Sequence, residues 1–75
     1  MEPKVGAIYE HYKGGRYRVL AIGEHTETGE RLVVYSPLGT GKNWIRPLDM
    51  WNEAVGGRHR FVEVEDALGA LRAYF

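Results

Sequence analysis

The chain has 75 residues, ten basic and ten acidic side chains, and no cysteine. That length bounds one domain with a small core, and the missing cysteines exclude a disulfide framework, a thiolate nucleophile and sulfur-bound zinc, which fits a reducing compartment. Balanced charge argues against a dominant non-specific nucleic-acid binder but leaves room for a local basic patch.

In chain order, Val5, Ala7 and Tyr9 alternate with Gly6 and Ile8, which predicts a lead-in strand over 5–9. Residues 1–4 open on no apolar h-region and no apolar run nears the ~20 residues of a membrane span, so a soluble cytoplasmic protein is expected. Gly14 and Gly15, flanked by Lys13 and Arg16, predict a turn, because paired glycines reach positive φ at little cost. Over 17–23, Tyr17, Val19 and Ala21 alternate with Arg18, Leu20 and Ile22. Both sets are largely apolar, which predicts a strand covered on both faces over part of its length. Residues 24–30 are polar, and Thr28-Gly29 predicts a hairpin turn there. The β-branched and aromatic run over 31–35 is its return strand, ended by Pro37.

A flexible loop over 38–42 leads to a short strand over 43–46, closed by Pro47. Pro47 then opens one helical or 3₁₀ turn over 47–51. The runs 53–55 and 60–64 flank Gly56 and Gly57, which predicts a second hairpin. Asp66 is placed to cap a helix over 67–74, with Leu68, Leu71, Tyr74 and then Phe75 on one stripe. Five or six short strands in so short a chain predict a mainly β fold, a strongly bent sheet or small barrel. The expected division is a β domain over 5–64 and a helical extension over 65–75.

Several pieces taken together are distinctive. They are Tyr9-Glu10-His11-Tyr12-Lys13-Gly14, His25-Thr26-Glu27-Thr28, Leu32-Val33-Val34-Tyr35 and Trp44-Ile45-Arg46-Pro47-Leu48-Asp49-Met50-Trp51. In order and spacing the chain resembles the bacterial DUF1653 family from about Val5 to Val64. The resemblance implies an SH3-like small barrel of about five strands. It implies no activity, because that family is named for having no assigned function. The stretch Val55-Gly56-Gly57-Arg58-His59 departs from the longer, acidic hairpin usual there, and the tail after Val64 lies outside the resemblance.

The candidate chemistry is a set of rings and cations. His11, Tyr12 and Lys13 sit before a Gly-Gly turn and could bind an anion or stack a base; the plain alternative is a packed ring and a solvated lysine. His25 and Glu27 share a strand face, but two potential ligands do not make a metal site, and turn capping explains both. Trp44 and Arg46 also share a face, and aromatic and proline residues near the loops of SH3-like barrels often form a peptide groove. The alternative makes Trp44 a core anchor and pairs Arg46 with an acid such as Asp49 or Glu27. Gly39-Thr40-Gly41-Lys42-Asn43 is not a phosphate loop, since position 36 is Ser and position 43 is Asn.

The expectation is a non-enzymatic binding module without cofactor or metal. Its surface would combine His11, Tyr12, Lys13, His25, Tyr35, Trp44 and Arg46 against an anionic or planar ligand: nucleic acid, nucleotide or peptide. The alternative is a structural or protein-interaction domain that acts through its C-terminal helix, as a homodimer or by docking a partner. A small hydrolase or metal enzyme built on His25, Glu27 and His11 is least favoured, for want of a nucleophile–base motif.

Overall fold

The computed structural model describes residues 2–64. The strands are β1 (Ile8–His11), β2 (Arg16–Glu24), β3 (Arg31–Pro37), β4 (Trp44–Pro47), β5 (Ala54–Val55), β6 (Arg58–His59) and β7 (Phe61–Glu63), with one short helix, α1 (Leu48–Trp51), after β4. Five of them form an antiparallel sheet in the order β4-β3-β2-β1-β7, and β5 pairs with β6 in a separate two-stranded ribbon. The fold is therefore mainly β, as expected. Strands β4 and β7 remain edges, so among the described residues no ladder closes the sheet into a barrel. The helix expected over 67–74 and the extension over 65–75 lie outside the described residues.

Directly opposite residues of a ladder share a face. The register places His11 opposite Phe61, Tyr9 opposite Tyr17, Val19 opposite Tyr35, and Tyr35 opposite Trp44. These residues make the inner face. Its buried members Tyr9, Val19, Val33, Tyr35 and Phe61 form the core together with Trp51 of α1.

β2 is not the two-sided strand its composition predicts. The register with β3 slips between Val19 and Ala21, so Leu20 is an extra residue and the strand bulges. After the slip Ile22 opposes Val33 and faces the core, while Ala21 opposes outward Val34. A bulge reverses the in–out phase. Both alternating sets therefore look apolar although each half of the strand buries only one face, and Leu20 itself stays exposed.

The second hairpin is also tighter than expected. β5 turns through Gly56 and Gly57 and pairs with Arg58–His59, whereas 61–63 leaves the ribbon to pair with β1. Phe61 supplies the reason, because its buried ring belongs to the core and pulls β7 onto the main sheet. Arg60 fixes the crossing: its main-chain N–H donates to the Glu53 carbonyl, and its guanidinium donates to the Met50 carbonyl and to the Glu53 carboxylate at 2.6 Å.

Trp51 stacks on Phe61 with ring centroids 3.8 Å apart and planes 5° from parallel. Tyr9 and Tyr35 meet the same indole edge-on at 5.4 and 5.2 Å. Replacing a buried Trp with Ala typically costs about 3–5 kcal/mol, a large share of a small domain's stability. Trp51→Ala is therefore expected to lower the thermal midpoint sharply, whereas Ile45→Thr on the exposed outer face should change stability by less than about 0.5 kcal/mol. Equal melting curves for the two variants would refute this account of the core.

Candidate aromatic and cationic site

The site begins at the turn between β1 and β2. His11 donates its main-chain N–H to Gly15, and Gly14 donates back to the His11 carbonyl at 2.8 Å. Gly14 and Gly15 both take positive φ, 93° and 86°, and a Cβ at Gly15 would meet the Tyr17 hydroxyl at 3.1 Å. Within this turn the His11 side chain acts as a cap. Its Nδ1 accepts the main-chain N–H of Lys13 at 3.1 Å. An imidazole that accepts at Nδ1 is neutral and carries its proton on Nε2.

Around the turn the rings connect to the core. His11 packs against Tyr12 at 4.6 Å and meets Phe61 edge-on at 5.0 Å. The Lys13 ammonium lies 5.7 Å from the Tyr12 ring centre. From β4, the Arg46 guanidinium covers the same Phe61 ring at 5.5 Å, and its Nε donates to the Tyr35 hydroxyl at 3.1 Å. Trp44 leans on Tyr17 and Tyr35 at 5.8 and 6.0 Å and is 42% exposed, so it is partly open to solvent.

The expected surface is thus largely brought together, with two differences. Tyr35 is only 3% exposed and supports the site from below, its hydroxyl held by Arg46, rather than offering a face to a ligand. His25 sits beyond Glu24 at the far tip of the β2–β3 hairpin, about 25 Å along the strand from Tyr17 by strand geometry. There it caps its own turn, its Nδ1 accepting the Glu27 and Thr28 N–H groups. Arg46 pairs with neither Asp49 nor Glu27, and no ion pair of Arg46 occurs among the described residues.

Phe61, Tyr17 and Arg60 also belong to the site, and sequence reading missed them. Phe61 looked like one more strand residue. Only its pairing with His11, fifty residues away in the chain, makes it the floor of the site. A cavity of about 520 Å³ adjoins His11 and Tyr12 and is walled by Arg58, His59, Glu10 and Glu63. Both carboxylates are already engaged, Glu10 with Arg16 at 3.6 Å and Glu63 with Lys4 at 3.4 Å. Among the described residues Lys13, Arg18, Lys42, Arg46 and Arg58 have no carboxylate partner, and Lys13, Arg46 and Arg58 of these stand at the site; the acids without a cation are Glu27, Glu30 and Asp49. A chain of zero net charge therefore carries a locally positive site. Among the described residues no group of acids and histidines could hold a metal ion, and no helix is long and apolar enough to cross a membrane.

Burial lowers the His11 pKa below its ordinary 6.5, and the charges of Arg46, Arg60 and Lys13 lower it further. The folded state thus favours the neutral ring. The stability this contributes is complete above pH 6.5 and is lost as the pH falls through the lower, folded value. His11→Asn keeps a side-chain acceptor for the Lys13 N–H but cannot take up a proton. Chemical denaturation at pH 7.5 and 5.0 should show a smaller acid-induced loss of stability in His11→Asn than in the parent. An identical loss would mean that His11 does not carry this linkage.

No curated protein and no solved structure matches the chain. Residues 7–63 match the family described as "Protein of unknown function (DUF1653)". The match spans β1 to β7 and takes in every ring and cation gathered around Phe61. The protein is therefore a member of the DUF1653 family.

Proposed function

We propose that the domain is a non-enzymatic binding module whose ligand is both anionic and planar, with single-stranded nucleic acid the best fit. The observation that carries this reading is the juxtaposition of unpaired cations with open ring faces. Lys13 and Arg46 have no carboxylate partner among the described residues, and they flank rings that include the half-open indole of Trp44. Base-on-aromatic stacking with nearby phosphate charge is how sequence-tolerant single-strand binders work. We read the curled sheet as SH3-like. The contacts of Trp51 and Arg46 with Phe61, which draw the two edges together across the core, support that reading.

The test is a titration with a short oligouridylate at low and moderate salt, followed by the indole and backbone N–H signals. Loss of one stacked base costs about 1–3 kcal/mol, so Trp44→Ala should weaken binding by at least several-fold while keeping the fold. With up to three phosphates neutralised, log Kobs should fall with log salt at a slope near −2, from about −0.7 per phosphate. A flat salt dependence, or binding unchanged in Trp44→Ala, would sink the reading.

A further inference from the structure

We propose that the β1–β2 turn is a phosphate seat: a phosphate oxygen replaces His11 Nδ1 as the acceptor for the Lys13 main-chain N–H, and the freed imidazole takes a proton from solvent and pairs with that oxygen. This deepens the binding reading above and rests on it.

Three features of the turn lead there. The Lys13 N–H is satisfied only by a side chain, in an exposed bond of 3.1 Å, so an incoming acceptor can compete for it without opening any ladder. The surroundings favour an anion. Lys13 follows on the turn, Arg46 reaches in from β4, and Arg60 lies just before β7. Across the adjoining cavity stand Arg58 and His59 of β6, together with Glu10 and Glu63, whose charges are compensated by Arg16 and Lys4. Finally, the cavity of about 520 Å³ opens beside the His11 and Tyr12 rings, with room for a phosphate and the sugar or base it carries.

The proton balance decides how the seat responds to pH. With the seat empty, burial and then the neighbouring cations keep the ring neutral, and Nδ1 is free to cap the turn. With the seat filled, the anion offsets those cations and favours the imidazolium, which offers Nδ1–H as a new donor. Binding therefore takes up one proton. Affinity must rise as the pH falls, by up to about tenfold per pH unit, the limit for one linked proton. A phosphodiester does not itself titrate in this range, so the dependence belongs to the protein.

The experiment measures oligouridylate affinity from pH 7.5 to 5.5 for the parent, His11→Asn and His25→Gln, the last at the remote hairpin tip, with inorganic phosphate as a second probe. The expected result is tighter binding at low pH in the parent and in His25→Gln, a flat profile in His11→Asn, and a Lys13 amide signal that moves on titration. A seat specific for phosphate within a strand leaves inorganic phosphate without effect on the Lys13 amide. A seat for any phosphate shifts it with both probes. A profile that stays pH-dependent in His11→Asn, or a Lys13 amide that moves with neither probe, overturns the seat while leaving nucleic-acid binding intact. No binding of oligouridylate at any pH removes both the seat and the function it rests on.

Discussion

Trp51 lying flat on Phe61 at 3.8 Å is the contact on which the rest of the domain depends. The sheet is open, with β4 and β7 at opposite edges. Trp51 follows β4 through the single turn of α1, and Phe61 opens β7, so the stack draws the two ends of the sheet together across the core. The burial of two large aromatic surfaces replaces the ladder that would close a barrel, and Arg60 secures it by tying β7 to the main chain around α1. The candidate surface follows from the same contact, because the Phe61 ring also meets His11 and Arg46.

Much of this was legible in the residues. Gly14-Gly15, Thr28-Gly29 and Pro47 mark real boundaries, and the β-branched run at 31–35 lies within the strand it predicts. What was not legible shares a cause. The Leu20 bulge, the escape of β7 from the second hairpin and the pairing of His11 with Phe61 are all decided by partners distant in sequence. Local alternation cannot register them. The same holds for the site. His25 and His11 look alike in their short motifs, each followed by a turn that its own Nδ1 caps. Only the sheet order shows that one stands among cations and rings and the other at a remote tip.

Charge adds a second level of organisation. Zero net charge suggests an indifferent electrostatic surface, yet the pairing of acids with bases is uneven. Glu10, Glu53 and Glu63 are engaged near the site, whereas Glu27 and Glu30 at the hairpin tip and Asp49 in α1 have no cation partner among the described residues. Charge is thus unevenly distributed, with unpaired cations gathered at the rings and two unpaired acids at the tip. An uneven surface of this kind sets up a local field even when the total charge is zero.

The bulge at Leu20 has a consequence for how the chain tolerates change in length. β2 must carry one residue more than β3 between the rung of Val19 with Tyr35 and the rung of Ala21 with Val34. Removing Leu20 would bring these two rungs next to each other without changing any pair, so Ile22 would still oppose Val33 and face the core. The outer half of the hairpin, where Ala21 to Glu24 pair one for one with Val34 to Arg31, holds no such spare residue. The bulge is thus a place where this ladder can lose a residue and keep its phase.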